Sequence, residues 1–234
     1  AFYIKEMHQN LASRLREVNT NIQNACAESN ADFNSVKLIA VSKLQSIETI
    51  LTASRLGVRD FGESYAQELA KKALKCPKDI IWHFIGPIQT NKIKLIAKHS
   101  QWIHSLDRLK VAEKLNAACK EYKKTVSVLV QVNINNELSK SGIKPEDMIS
   151  FAQDIGSNFP NLNLKGLMFM PNINLNKTNQ LKTFKNIQSL MRSLINLLPN
   201  CDQLSLGTSD DYIEAIKAGS SMIRIGEDLL GPRS

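Results

Sequence analysis

The sequence predicts an α/β protein, a single (β/α)8 barrel with an extra N-terminal helix. Three observations predict it: eight short β-branched or apolar runs, a helix-like stretch after each of the first seven, and no composition break across 234 residues. Strict alternation of this kind implies parallel strands joined by right-handed crossovers. Eight units suit a closed barrel, although the chain is lean against the roughly 250 residues usual for one. An open doubly wound sheet is the competing arrangement.

Residues 1–30 carry Leu11, Leu15, Val18 and Ile22 at spacings of three and four, the stripe of an amphipathic helix packed on the barrel. The strand candidates are Val36–Ser42, Gly57–Gly62, Ile80–Gly86, Gln101–Ser105, Thr125–Asn133, Leu162–Met168, Gln203–Leu206 and Ser221–Ile225. Helix-like stretches lie near 46–56, 63–75, 90–99, 107–122, 145–157, 176–198 and 210–218. The Asn-rich piece Pro171–Gln180 reads as a long loop after the sixth strand. No Pro-, Gly- or Ser-rich linker divides the chain, so 1–234 reads as one domain.

Composition narrows the class. Hydrophobic residues make up 43% and charged residues 22%, as in ordinary globular domains. No apolar run approaches the ~18 residues of a membrane span, and the polar first thirty residues do not form a secretory signal. A cytoplasmic monomer without a membrane partner is therefore the expectation. The formal charge of +8 favours anionic ligands without choosing among them. The lysine runs at 71–78, 92–98 and 120–124 fall on helix-like stretches with few aromatics between them, so they read as solvated faces and not as a nucleic-acid surface. Cys26, Cys76, Cys119 and Cys201 are widely spaced with no CxxC pair, the pattern of reduced thiols.

In a parallel barrel, chemistry collects at the carboxyl ends of the strands, and phosphate often binds after strands seven and eight. There, Gly207-Thr208-Ser209 leads into a helix with Thr208 and Asp211 spaced as a capping box, and Gly226 leads into Glu227–Leu230. Glycines permit close backbone approach and free amides at helix starts attract anions, though Thr208 or Ser209 could equally serve only as caps. Lys43 follows the apolar run Leu38-Ile39-Ala40-Val41 with the parity of Ile39 and Val41, which brings its stem to the barrel mouth. Among apolar walls and near a second cation its amine pKa falls, making it a competent Schiff-base former; the alternative is a solvated lysine. Arg224 lies near the end of the eighth strand and can only donate hydrogen bonds, whether to a ring nitrogen, to a phosphate or to Glu63. His83 sits between Trp82 and Phe84 and reads as a hydrogen-bonded mouth residue, while His99 and His104 lack metal-ligand spacing.

The motifs Ala40-Val41-Ser42-Lys43, Phe61-Gly62-Glu63, Trp82-His83-Phe84-Ile85-Gly86, Gln89-Thr90-Asn91-Lys92, His104-Ser105-Leu106-Asp107-Arg108, Ser209-Asp210-Asp211 and Ile223-Arg224-Ile225-Gly226 occur in order from Val36 to Arg233. Together they resemble the pyridoxal phosphate homeostasis protein family, whose barrel is that of the alanine racemase amino-terminal domain. The resemblance implies pyridoxal 5'-phosphate (PLP) on Lys43 as a Schiff base. It also implies Ser209 with the backbone of Gly226 and Glu227 at the phosphate and Arg224 at the pyridine nitrogen; Ser64 and the mouth residue His83 complete the expected cofactor-binding set. Ser64 departs from the family, which commonly has Asn there; Leu206 and Thr208 replace Met residues, and the Pro that usually follows the lysine is missing.

Two functions of different class fit this set: a non-catalytic PLP carrier in cofactor homeostasis, or a PLP-dependent amino-acid racemase. A racemase needs a second acid–base group, which alanine racemases take from a further β domain. Since eight strands are expected to use up this chain, the carrier is the preferred reading. A Schiff-base aldolase acting on phosphosugars would use the same lysine, but the motif set points away from it.

Overall fold

The computed structural model describes residues 1–138 and 140–233. Eight parallel strands close into a barrel: β1 Lys37–Val41, β2 Asp60–Glu63, β3 Ile81–Phe84, β4 Trp102–Leu106, β5 Val126–Val132, β6 Leu162–Phe169, β7 Gln203–Ser205 and β8 Met222–Ile225. Closure is made by β8 on β1, where Ile39 lies opposite Arg224 and Ala40 opposite Ile225. The open doubly wound alternative is therefore excluded.

Around the strands run α1 Phe2–Glu28, α2 Ile47–Arg55, α3 Ala66–Lys75, α4 Ile93–His99, α5 Leu109–Glu121, α6 Met148–Asn158, α7 Lys177–Leu197, α8 Tyr212–Lys217 and α9 Glu227–Leu230. Local chemistry sets several of their ends. Ser46 caps α2 by accepting from the Thr49 amide, and Asn176 caps α7 by accepting from the Asn179 amide. Helix α7 buries Thr183, Phe184, Ile187, Met191 and Leu194, one stripe at helical spacing. The predicted N-terminal helix is α1. It buries Leu11, Val18 and Ile22, donates from Arg14 Nε to the Leu229 carbonyl at 3.0 Å, and joins Asn21 to the Tyr212 hydroxyl at 2.8 Å. No helix among the described residues is long and apolar enough to cross a membrane, and all four cysteines are buried free thiols.

Three expectations shift. Gly57 is not part of β2: with φ +99° it follows the last residues of α2 and takes the left-handed conformation that ends a helix. Helix α8 begins at Tyr212, because residues 209–211 form a turn closed by the Tyr212 amide on the Thr208 carbonyl. The loop after β6 is shorter than 171–180, since Asn176 already caps α7. Between β5 and β6 the register slips after Val128, and Gly166 stands at that irregularity with φ +153°; a Cβ there would lie 1.8 Å from the Gln203 carbonyl oxygen.

Apolar packing splits into two bodies. The larger lies between strands and helices, and a smaller one inside the barrel joins Ile39, Leu129, Met168 and Met222 with Trp102 against them. The rest of the interior is polar, with His83, His104, Ser205 and Arg224 all buried. A barrel filled this way has a buried polar floor under its carboxyl-terminal mouth, where the strands present their loops.

Candidate functional site

Lys43 is delivered to the mouth by a tight turn in which the Gln45 amide donates to the Ser42 carbonyl. Leu44 occupies the left-handed region at φ +62°, a conformation that costs a branched-chain residue of this kind roughly 1–2 kcal/mol. Its amide is held by both Glu68 carboxylate oxygens, at 2.9 and 3.0 Å. On the other side of Lys43, the Ser42 hydroxyl donates to Glu63, and the Ser42 carbonyl accepts from Lys72 Nζ at 2.7 Å. Lys72 also lies 3.1 Å from each Glu63 oxygen and 3.4 Å from Glu68. Lys43 is thus flanked by two residues whose backbones are pinned by one buried charge cluster.

Burial draws the half-buried Lys43 amine below the ordinary lysine range; the positive charge of Arg233 adds to the effect, and Glu68 opposes it. Burial also pushes Glu63 up to about 7, against the opposing pull of Lys72 and the Ser42 hydrogen bond. Lys72 was expected on a solvated face, yet it is 4% exposed. Its position three residues after Leu69, on the stripe Ala66, Leu69 and Lys72, is the sequence signal for that burial.

The Lys43 side chain lines a cavity of about 670 Å³ together with Ser64, Gly207, Thr208 and Arg224. Further walls come from the loop after β5, through Asn133 and Lys140, and from Pro171–Asn174 after β6. Arg224 is 3% exposed and reaches the cavity from β8, with Nη1 on Ser205 Oγ at 2.5 Å and Nη2 on the Phe169 carbonyl at 3.0 Å. Burial lowers its pKa to about 10, which still leaves it protonated at neutral pH. It does not pair with Glu63, whose partners are Ser42 and Lys72.

Beside Arg224, whose amide donates to the Gly207 carbonyl at 2.9 Å, the Thr208–Asp211 pair forms half of the expected capping box. Asp211 reaches back to accept from the Thr208 amide at 2.8 Å, and no hydrogen bond runs from the Asp211 amide to the Thr208 hydroxyl. The Thr208 amide is therefore already committed and is not free for an anion. Burial raises the Asp211 pKa, opposed by the Thr208 bonds and by Arg224. Ser209 stands half-buried in the same turn, beside the lining residues without being one. Gly226 and Glu227 begin α9 next to the β1–β8 seam; a Cβ on Gly226 would lie 3.8 Å from Val41. The first amides of α9 have no acceptor within the helix, and the exposed Glu227 carboxylate turns to Arg233 at 3.6 Å.

Of the predicted set, Lys43, Ser64 and Arg224 line the cavity, whereas Ser209, Gly226, Glu227 and His83 do not, and His83 is also bonded away from it. It is wholly buried inside the barrel, bonded to His104 and Asp60 and stacked on Trp102, and it does not line the cavity. Strand parity turns both histidine rings inward, since His83 alternates with the outward Trp82 and Phe84, and depth keeps His83 from the cavity: Ile85, two residues nearer the mouth, lines it.

A half-buried lysine and a buried arginine thus line one cavity at the carboxyl-terminal mouth of a parallel (β/α)8 barrel, and these define the class of protein. Residues 14–234 match the family described as alanine racemase, N-terminal domain. The chain belongs to the pyridoxal phosphate homeostasis protein family. It is 43% identical to the protein of that name from Haemophilus influenzae, over 96% of this chain and 97% of the relative. It is 40% identical to the Pseudomonas aeruginosa protein of the same name, over 95% and 96%. Among solved structures, PipY of Synechococcus elongatus with PLP bound superposes with a TM-score of 0.80 at 29% identity, covering 94% of this chain and all of that one. Alanine racemase of Clostridium difficile shares the fold, with a TM-score of 0.77 at 16% identity; this chain covers 56% of its length.

Proposed function

We propose that this protein binds PLP reversibly as a Schiff base on Lys43 and serves cofactor homeostasis as a carrier, not as an enzyme. The observation that carries the reading is that the Lys43 side chain shares one cavity with Arg224 and the Gly207-Thr208 loop. PLP supplies an aldehyde that condenses with a primary amine with loss of one water. Lys43 contributes that amine, and its lowered pKa raises the fraction that is unprotonated and nucleophilic. Arg224 can only donate, so opposite a ring nitrogen it leaves that nitrogen without a proton and the ring a weak electron sink, which favours holding over chemistry. The phosphate is assigned to Ser209 and the amides at Gly226 and Glu227, which are not among the cavity's lining residues, and the ring to the wall that Ser64 lines. His83 is withdrawn from the contact set.

The family name carried by relatives of matching length supports the carrier role. We read the carrier as a cytoplasmic monomer. Adding PLP to the purified protein should produce a visible absorbance band, and borohydride should fix the label on Lys43. In Lys43→Ala both should vanish. A label fixed on another lysine would overturn the site. Racemisation of single amino-acid enantiomers above background would overturn the carrier role.

A further inference from the structure

Behind Arg224 an unbroken series of polar groups crosses the barrel. Arg224 Nη1 meets Ser205 Oγ at 2.5 Å, Ser205 Oγ meets His104 Nδ1 at 2.8 Å, and His104 Nε2 meets His83 Nδ1 at 2.9 Å. His83 Nε2 then meets Asp60 Oδ1 at 2.8 Å. Ser205, His104 and His83 are fully buried, whereas the Asp60 side chain is 15% exposed and lies 3.8 Å from Lys37. Both residues sit at the starts of their strands, on the face of the barrel opposite the cavity.

The two ends fix the direction of the series. A guanidinium only donates and a carboxylate only accepts. Both rings are fully buried, and burial lowers each pKa, with Asp60 opposing at His83; this favours the neutral imidazoles, with one N–H each. His83 must then spend its proton at Nε2 on Asp60, which leaves its Nδ1 to accept from His104 Nε2–H. His104 Nδ1 in turn accepts from the Ser205 hydroxyl, whose oxygen accepts from Arg224. Every donor has one acceptor and every acceptor one donor. Both contacts on Arg224, Ser205 Oγ and the Phe169 carbonyl, are neutral, and Asp211, whose charge also acts on it, is committed to Thr208. The guanidinium is held in plane without a carboxylate bonded to it, so its charge remains available to the cavity.

We propose that Asp60, His83, His104 and Ser205 are positioning residues, a one-way hydrogen-bond chain across the barrel that fixes the orientation of Arg224 toward the ligand. The PLP reading supplies the ligand; the direction of the chain stands independently of it. The test uses the full-length protein. Long-range nitrogen–proton spectra of the histidine rings, without added cofactor, should show His83 and His104 as neutral Nε2–H tautomers. An Nδ1–H tautomer at either ring would overturn the chain. Asp60→Ala, at the solvent-reached end, should mix the tautomers of His104 two groups away; an unchanged His104 spectrum would overturn the coupling.

With PLP present, His104→Leu should weaken binding about tenfold and move the absorbance maximum of the bound cofactor. His104→Gln, which can both accept and donate, should restore most of each. Wild-type affinity and absorbance in His104→Leu would overturn the positioning role. If wild-type protein takes up no PLP, the functional reading fails alone, and the tautomer spectra still decide the chain.

Discussion

The charge cluster under Lys43 makes a quantitative prediction. Lys72 and Glu63 are 4% and 0% exposed, with Nζ 3.1 Å from each carboxylate oxygen, and Lys72 also holds the Ser42 carbonyl. In Lys72→Met the apolar stem is kept and the cation is lost, so an ionised Glu63 is left buried with the Ser42 hydroxyl. Breaking a buried pair in this way costs about 3–5 kcal/mol, a large part of the ~5–15 kcal/mol total of a domain. Burial raises Glu63 from 4.5 to about 7, so the folded state binds this proton more tightly than the unfolded one. The stability from that proton is fully present below about pH 4.5 and is lost as pH rises through about 7. Removing Lys72 lifts the Glu63 pKa further, so the penalty should be near its full size at pH 8 and clearly smaller at pH 5.5. Glu63→Gln combined with Lys72→Met removes both charges and should recover stability to within about 1 kcal/mol of wild type. Urea unfolding followed by the fluorescence of Trp82 and Trp102 measures all three variants. A single-variant loss below about 1 kcal/mol, equal losses at the two pH values, or a double variant worse than Lys72→Met would refute the reasoning.

Two further outcomes follow from neighbouring geometry. In Arg233→Gln the positive charge that helps to lower the Lys43 pKa is gone, so the pH midpoint for borohydride-trapped labelling by pyridoxal, which lacks the phosphate, should move upward; an unmoved midpoint would assign the depression to burial alone. Gly166→Ala would place a Cβ 1.8 Å from the Gln203 carbonyl oxygen at φ +153°, and should cost more than about 3 kcal/mol in the same unfolding assay or yield insoluble protein.

Most of the scaffold was readable because helix and strand periods alternate cleanly. The run Thr125–Asn133 becomes β5 Val126–Val132, and the stretch 176–198 becomes α7 Lys177–Leu197. Where the reading slipped, a backbone property outweighed the pattern. Gly57 precedes the apolar Val58 and resembles a strand start, but its positive φ makes it a helix terminator. Lys43 and Arg224 could be placed because strand parity aims them at the mouth, and the cavity holds both. Lys72 was lost inside a basic run, since its charge suggested solvent while its place on the α3 stripe meant burial. The partners of His83 and His104 lie 23 and 101 residues away, on Asp60 and Ser205, pairings that only barrel closure creates. Parity alone could have turned both rings inward, yet nothing along the chain says which groups they meet there.

Helix α1 grips the two segments that follow β7 and β8, through Asn21 on Tyr212 and Arg14 on the Leu229 carbonyl. These segments flank the part of the mouth where an ester oxyanion would rest, so the leading helix acts as a buttress for that sector although it lines none of the pocket. Local opening of α1 would loosen both flanks together, and amide exchange in α8 and α9 should rise in step with it. Under the proposed function, retention of PLP would in this way depend on the intactness of a segment distant in sequence from the loops it supports.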